Sequence, residues 1–414
     1  MSDLERNLMK SKISESSTSS MSSSITEEDE ASSNEPEIES TKTIKGIPKF
    51  SGEINLGQEF KPPRNRPPKL RAYTPSKWSE YWSSETIAAL STPESKFKIY
   101  YTPPLTNSKA WFLFHHGAGS SALTFSASAK LLHDALPHVG VAAFDARGHG
   151  DTSDTGDDAD LSLDTLARDF VHAVAHIFQS QEESDDCGEV VFVGHSLGGA
   201  VVTESALRFA ELWLSLRKRP VISGVVVVDV VEGSALEGLA HMRTYLGTRP
   251  PLFRSVSDGI KWHVQTHTVR NAESARVSVP PLLRDTGNGK VGWRTELGAT
   301  ERYWATWFQD LSTKFLRVRA GRMLVLAGTD RLDKPLTIGQ MQGKYQLEVL
   351  PEVGHFVQED APMRFAGLLE GFWGRNRRGA ALEVQRALNA HGQGATASAV
   401  AAGGVPMAAS MPKQ

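Results

Sequence analysis

The chain has 414 residues, of which 40% are hydrophobic and 22% charged, with a formal net charge of −3. This is the composition of an ordinary globular protein, and a charge so close to zero provides no basic field for nucleic acid. The single cysteine, Cys187, excludes an intrachain disulfide framework and favours a cytoplasmic or nuclear location. Because the sequence contains neither an 18-residue apolar run nor a signal-peptide core, we expect no transmembrane helix and no membrane partner.

Both ends of the sequence are poor in large apolar residues. Residues 1–70 combine a Ser/Glu-rich tail with the Pro-rich basic stretch KPPRNRPPKLR, and residues 381–414 are rich in Ala and Gly. Such segments bury too little apolar surface to offset the conformational entropy lost on ordering. We therefore predict two disordered tails around one folded domain, residues 71–380.

Strand-like and helix-like segments alternate within that domain. AWFLFHH (110–116) and VGVAAFDARGHG (139–150) resemble buried strands, and LDTLARDFVHAVAHIFQ repeats apolar residues at helical spacing. EVVFVGHSLGGAVV resembles a strand, a sharp turn and a helix. Further strands are predicted within 221–233, 322–330 and 345–356. This alternation predicts an α/β fold with a mostly parallel central sheet and helices on both faces.

Residues 234–318 interrupt the alternation. This stretch contains helical patches, two Pro-Pro pairs and several tryptophans, but no clear buried strand. We predict a helical cap insertion over the sheet, called the cap below. Aromatic side chains often anchor interfaces, so four tryptophans of the cap are candidate substrate-binding residues: Trp262, Trp293, Trp304 and Trp307.

The sequence GHSLG, residues 194–198, has the G-x-S-x-G pattern of a nucleophile elbow between a strand and a helix. The turn is so tight that Gly194 and Gly198 are needed where a side chain would collide with neighbouring backbone. Ser196 is the predicted nucleophile. The backbone N–H of Leu197, at the start of the helix, is a predicted oxyanion donor.

A serine nucleophile needs a base, and His355 is the best candidate because its loop directly follows the last predicted strand. His195 is expected to point away from its neighbour Ser196. His149 is expected to be structural, and His115 and His116 to shape the loop that follows them.

The loop HHGAGSS, residues 115–121, follows the first strong strand and is small enough to approach a substrate. The N–H of Ala118, or of its neighbour Gly119, is the predicted second oxyanion donor. No phosphate-binding glycine loop and no Cys/His cluster with metal-ligand spacing is present, so no cofactor or metal is expected.

Two acids compete to orient His355. Asp330 ends the predicted strand at 322–330, the common position in this architecture, with Asp333 close by, whereas Asp229 follows the four valines of VISGVVVVDVVEG. A buried carboxylate with one dedicated partner suits the role. The valines give Asp229 that environment, while two cations beside Asp330 compete for its charge. These residues favour Asp229 as the partner of His355, and Asp330 remains the alternative. Asp229 could instead have a structural role, as the N-cap residue of the helix that follows it.

Several segments together resemble a known family. FDARGHGDTS, VGHSLGG and a final GH followed by EDAP resemble the α/β-hydrolase fold. VVDVVEGSALEGL, VRNAESARVSV and AGTDRLDKPLTIGQMQGKYQLEVLP resemble, more narrowly, the protein phosphatase methylesterases, over roughly residues 100–375. The last two segments are long and idiosyncratic, which makes the match specific.

The resemblance implies a serine carboxylesterase that removes the methyl group from the C-terminal leucine methyl ester of the protein phosphatase 2A catalytic subunit. It also implies a triad in which the acid matches Asp229, with Ser196 and His355. Two other functions stay open at this stage, a small-molecule esterase or lipase of the same fold and a non-catalytic inhibitor that docks on a phosphatase.

Overall fold

An eight-stranded sheet forms the centre of the computed structural model, which describes residues 70–90, 92–153, 160–179, 188–213, 219–328 and 332–377. The predicted tails lie outside these residues, apart from Leu70, and the predicted domain boundaries stay predictions. In chain order the described strands are β1 (Ser84–Ala88), β2 (Phe97–Thr102), β3 (Ala110–His115), β4 (Gly140–Phe144), β5 (Glu189–His195), β6 (Val221–Val228), β7 (Leu252–Phe253), β8 (Leu283–Asp285), β9 (Val291–Trp293), β10 (Gly321–Ala327) and β11 (Gln346–Leu350).

The spatial order of the main sheet is β1-β2-β4-β3-β5-β6-β10-β11. All pairs from β4 to β11 are parallel, whereas β1 pairs antiparallel with β2, and β2 antiparallel with β4. The mostly parallel sheet predicted from the sequence is confirmed. Ser196, Asp229 and His355 follow β5, β6 and β11, at the edge where the carboxyl ends of parallel strands gather and ligands bind in such sheets.

Helices cover both faces of the sheet. The described α-helices are α1 (Ser126–Ala135), α2 (Leu163–Gln179), α3 (Leu197–Leu212), α4 (Glu232–Thr248), α5 (Val256–Gln265), α6 (Ala272–Ser278), α7 (Glu301–Phe308), α8 (Leu311–Arg317), α9 (Lys334–Met341), α10 (Val357–Asp360) and α11 (Pro362–Asn376). Helices α1 and α11 contribute to the core on one face, and α2, α3, α7 and α8 to the core on the other. None of the helices in the described ranges is long and apolar enough to cross a bilayer.

Strand β5 shows why the sheet is buried on both sides. Val190 and Phe192 pack into the core with α2 and α3, while Val191 and Val193 pack into the core with α1 and α11. All four side chains are fully buried. Successive residues of a strand point to opposite faces, so a continuous apolar run is what a sheet between two helical layers requires.

The cap lies between β6 and β10 and contains most of α4 and all of α5 to α8. It also contains a three-stranded antiparallel sheet in the order β7-β9-β8, which the sequence did not indicate. These strands have only two or three residues, too few to show the alternating pattern of a strand.

Hydrogen bonds attach the cap to the rest of the molecule at both ends of the strand edge. Near β4, the Thr295 hydroxyl donates to the carbonyl of Gly148 (2.9 Å), and the Trp307 indole N–H donates to the carbonyl of Leu161 (2.6 Å). Beyond β11, the Ser278 hydroxyl donates to the buried carboxyl of Glu359 at 2.5 Å. The cap is therefore fixed over the sheet by directional bonds as well as by apolar contact.

Candidate active site

Ser196 lies in a strained turn between β5 and α3, with φ at 53° and ψ at −122°. Its N–H donates to the carbonyl of Val228 at 2.9 Å, which fixes the turn against the next strand. A Cβ on Gly194 would lie 2.1 Å from the carbonyl oxygen of Gly198, and one on Gly198 would lie 2.2 Å from that of His115. Both glycines are therefore required by close backbone approach, the steric condition of a nucleophile elbow.

His355 and Asp229 are joined by a hydrogen bond of 2.7 Å between Nδ1 and Oδ2. The Asp229 side chain is 1% exposed and that of His355 22% exposed. The other carboxylate oxygen, Oδ1, accepts the N–H of Ala327 at 2.7 Å. The distance lies in the range expected when a carboxylate holds an imidazole in one tautomer, with the proton on Nδ1 and Nε2 free to accept another.

The backbone of Asp229 is also unusual, with φ at 52°, and its N–H donates to the carbonyl of Val325 at 2.7 Å. Burial acts to raise the pKa of the Asp229 carboxyl, but the hydrogen bond and charge interaction with His355, together with the N–H of Ala327, help to hold the pKa below the usual value. Asp229 is therefore ionised at neutral pH, and it does not cap α4, whose N-cap residue is Val231.

Asp330 and Asp333 were the other acids considered as partners of His355. Asp330 lies outside the described residues. Asp333 is the N-cap of α9, where its carboxylate accepts the N–H of Leu336 at 3.1 Å and the hydroxyl of Ser312. Asp333 thus serves a helix end.

His195 has a supporting position that the sequence did not reveal. Its ring is fully buried and lies 4.6 Å from the ring of His355, between centroids. Its Nε2 donates to the backbone carbonyl of His355 at 2.8 Å. Burial lowers the pKa of His195 well below its usual value, so the ring stays neutral and fixes the loop that carries His355.

Neutral histidines shape the loop of the predicted oxyanion donors. Nε2 of His149 accepts the N–H of Gly119 at 2.9 Å, and Nε2 of His116 accepts the N–H of Ala146 at 3.0 Å. Each ring donates from Nδ1 to a backbone carbonyl at 2.8 Å. Burial lowers the pKa of His149 to about 4, so its ring is neutral at pH 7 and Nε2 is able to accept the hydrogen bond from Gly119.

This arrangement distinguishes the two oxyanion candidates. The N–H of Gly119 is engaged by His149, whereas the N–H groups of Ala118 and Leu197 donate no hydrogen bond to any residue in the described ranges. Leu197 begins α3, where helix geometry provides no intrahelical acceptor. Ala118 and Leu197 are therefore the better-placed donors, although their role stays a prediction.

Asp360 is a further residue near the site to which the sequence analysis assigned no role. Its side chain is 2% exposed. One carboxylate oxygen accepts the N–H of Gly354, directly before His355, and the other accepts the N–H of Arg270 in the cap, both at 2.7 Å. Asp360 therefore connects the His355 loop to the cap. Only its place in the segment EDAP could have directed attention to it.

Ser196 and His355 open into one cavity between the sheet edge and the cap. Leu197, Ala118 and three of the four tryptophans proposed for substrate binding, Trp293, Trp304 and Trp307, also line it. Trp262 does not line it. Its ring packs inside the cap against Phe253 and Trp293, with centroid distances of 6.0 and 5.9 Å. The remaining wall is mainly apolar, formed by Leu239, Met242, Leu282, Leu297, Phe308 and Phe356.

Comparisons with known proteins agree with this geometry. The model of the alpha/beta hydrolase family matches residues 112–368. Protein phosphatase methylesterase 1 of Aspergillus oryzae is 44% identical over 352 residues, covering 82% of this chain and 80% of that protein. The chain belongs to the protein phosphatase methylesterase family of α/β hydrolases. Protein phosphatase methylesterase 1 of Schizosaccharomyces pombe is 49% identical over 266 residues, covering 64% of this chain and 74% of that relative.

Solved structures show the same fold. E-2-(acetamidomethylene)succinate hydrolase matches 70% of this methylesterase-family chain and 99% of its own, with a TM-score of 0.54 and 18% identity. At that identity the likeness concerns the fold alone. As a member of the methylesterase family, the chain is a carboxylic ester hydrolase, and the predicted fold and family are confirmed.

Proposed function

We propose that this protein demethylates a protein phosphatase, and specifically that it hydrolyses the C-terminal leucine methyl ester of the protein phosphatase 2A catalytic subunit. The observation that carries the proposal is the hydrogen bond between the buried carboxylate of Asp229 and His355, which lines the same cavity as the strained Ser196. The names of the relatives supply the class of substrate.

In the first half of the reaction, the hydroxyl oxygen of Ser196 attacks the ester carbonyl carbon while Nε2 of His355 takes the hydroxyl proton. The backbone N–H groups of Ala118 and Leu197 stabilise the negative oxygen of the tetrahedral intermediate. The intermediate then collapses, and the proton on His355 passes to the methoxy oxygen. Methanol leaves, and the peptide carbonyl stays bound to Ser196 as an ester.

In the second half, a water molecule attacks the acyl-enzyme carbonyl and His355 takes its proton. The bond to Ser196 breaks, the serine oxygen recovers the proton, and a peptide with a free carboxylate is released. Asp229 stays ionised in both halves, because its role is to orient the ring and stabilise the imidazolium. Burial of its carboxylate keeps that interaction in a dry environment.

The cap supports recognition of a peptide end. Trp293, Trp304 and Trp307 form part of a cavity wall that is mainly apolar, which suits an apolar C-terminal side chain. Trp307 is 3% exposed and Trp304 6% exposed, so each also stabilises the cap.

The decisive experiment incubates carboxymethylated phosphatase catalytic subunit with wild type, Ser196→Ala and Ser234→Ala, and measures loss of the methyl group. Ser234, in α4, is a matched control because its hydroxyl donates to the carbonyl of Val231 and it does not line the cavity. We expect wild type and Ser234→Ala to demethylate and Ser196→Ala to fail. If wild type hydrolyses small esters but leaves the phosphatase methylated, the protein is a small-molecule esterase.

A further inference from the structure

Arg249 carries the only permanent charge among the described residues that line the cavity. Its neighbours there are mainly aliphatic and aromatic. Burial lowers the pKa values of His195 and His263, which also line the cavity, so both rings are neutral. A half-buried guanidinium in such a wall is costly unless it meets an anion.

The position of this guanidinium is preorganised. Arg249 ends α4 and precedes Pro250, which holds its backbone in an extended conformation with φ −74° and ψ 137°. The guanidinium carbon lies 3.4 Å from the ring centroid of Trp293. The indole N–H of Trp293 in turn donates to the carbonyl of Pro250 at 2.8 Å. Stacking and hydrogen bonding therefore fix the cation, which reduces the entropy that a ligand has to overcome.

No acid neutralises this cation within the described ranges. No carboxylate there approaches its nitrogens within 4.0 Å, and its side chain donates no hydrogen bond to those residues. Among the described carboxylates, that of the exposed Glu296 acts on it electrostatically, without forming an ion pair. By contrast, Arg254, five residues later, is 85% exposed and bonded to Asp258 at 2.8 Å. Arg249 thus differs from an ordinary surface arginine of the cap.

We propose that the guanidinium of Arg249 binds a carboxylate of the substrate peptide inside the cavity. This proposal rests on the proposed function and deepens it. It implies that the substrate peptide carries a negative charge, which the apolar side chains of the cavity wall do not recognise. The methyl ester masks the terminal carboxyl, so the carboxylate comes either from an acidic side chain upstream of the ester or from the terminus of the demethylated product. Guanidinium groups bind carboxylates with two parallel hydrogen bonds, which fixes orientation as well as charge.

The test uses full-length wild type, Arg249→Met, Arg249→Lys and the control Arg254→Met. One arm measures kcat/KM on peptide leucine methyl esters that carry a single Asp at successive positions, each paired with its Asn counterpart, and on p-nitrophenyl acetate. The other arm measures direct binding of the free-acid peptide and its C-terminal amide to each protein in a Ser196→Ala background. This second arm does not require turnover, so it remains informative even if demethylation fails.

For an upstream acid, we expect wild type and Arg254→Met to prefer one Asp peptide by about 10- to 100-fold, and Arg249→Met to lose that preference. If Arg249 instead binds the product carboxylate, the free-acid peptide should bind more tightly than its C-terminal amide by the same factor, and Arg249→Met should lose this difference. Arg249→Lys should retain part of either preference, since it keeps the charge but loses the second hydrogen bond. Melting temperatures show whether each variant keeps the stability of wild type.

Two results would overturn the proposal. One is that wild type distinguishes neither Asp from Asn nor acid from amide. The other is that Arg249→Met loses the same factor on every peptide and on p-nitrophenyl acetate, which would make Arg249 a structural partner of Trp293. Failure of wild type to demethylate the phosphatase would count against the proposed function, while the binding arm would still decide the role of Arg249.

Discussion

Asp229 and His355 are 126 residues apart in the chain, yet their side chains are joined at 2.7 Å. Residues that follow three different strands meet here, because β5, β6 and β11 all end at the same edge of the sheet. The second oxygen of Asp229 is held by Ala327 at the end of β10. The carboxylate is thus fixed before any substrate arrives, as preorganised catalysis requires.

Replacement of Asp229 by Asn should reduce kcat by about 1,000- to 10,000-fold, because an amide no longer holds His355 in the productive tautomer. Asp330→Asn should be milder. Asp333→Asn is a further control, since Asp333 caps α9 and its loss should affect stability more than turnover. The assignment is wrong if Asp330→Asn abolishes turnover while Asp229→Asn does not.

Ser196 should be the only residue that a fluorophosphonate probe labels, because it lies in a nucleophile elbow and lines the same cavity as the imidazole of His355. Mass spectrometry of the labelled peptide identifies the site. Ser196→Ala should abolish labelling and reduce ester hydrolysis by about a thousand-fold or more. Labelling that persists in Ser196→Ala would place the nucleophile elsewhere.

Asp360→Asn should reduce kcat on both the small ester and the phosphatase by about 10- to 100-fold, because the amide cannot accept both N–H groups and the His355 loop shifts. The rate of fluorophosphonate labelling reports on the base independently of substrate binding and should fall as well. Asp258→Asn is the matched control, because that acid lies in the cap away from the His355 loop and contacts the exposed Arg254. Normal labelling of Asp360→Asn would contradict a positioning role.

Glu359 gives a pH dependence with a definite sign. Burial, only partly offset by the Ser278 and Thr124 hydroxyls, raises the pKa of its carboxyl to about 8. The unfolded chain loses this proton near pH 4.3, so the folded state binds more protons between about pH 4.3 and 8, and the free energy of unfolding falls as pH rises through that window.

In Glu359→Gln this contribution disappears. The difference between the free energies of unfolding at pH 5 and pH 8 should be smaller than in wild type by at least about 1 kcal/mol. Urea denaturation at three pH values measures it. Other groups, including Asp145, whose pKa burial also raises, are present in both proteins and cancel in the comparison. Parallel stability curves for the two proteins would show that Glu359 is ionised in the folded state.

The cap should affect the protein substrate more than a small ester. Trp304 lines the cavity, whereas Trp262 packs inside the cap. We expect Trp304→Leu to impair demethylation of the phosphatase by a larger factor than hydrolysis of p-nitrophenyl acetate, and Trp262→Leu to change both activities alike. Equal losses in Trp304→Leu would indicate a folding defect.

The main features of the fold were predictable because their signals are local. The elbow around Ser196 is a five-residue pattern, and the buried strand before Asp229 is a run of valines in the sequence. Helix α2 coincides with the segment whose apolar residues recur at helical spacing. The contact between Asp229 and His355 was also expected, since parallel strands bring their carboxyl ends together.

The features that were missed depend on distant partners. Asp360 acquires its position from Arg270, which lies 90 residues earlier. Arg249 is distinguished by the Trp293 ring against its guanidinium and by its place in the cavity wall. Trp262 was grouped with the other tryptophans by composition, but its place on α5 directs it into the cap. Strands β1 and β2 form an antiparallel edge of the sheet, and neither strand was among those predicted from the sequence.

The bonds that attach the cap prevent it from being exchanged as a module. A chimera joined only at residues 234 and 318 would leave the carbonyls of Gly148 and Leu161 without these donors, and would leave Oε2 of the Glu359 carboxyl without the Ser278 hydroxyl. Each buried group left unsatisfied costs about 1–3 kcal/mol, a large fraction of the stability of a typical domain. A cap from another protein must therefore provide hydrogen-bond donors to these three acceptors. Changes in the cap are thus coupled to the residues around Gly148, Leu161 and Glu359, although these lie outside it in the sequence.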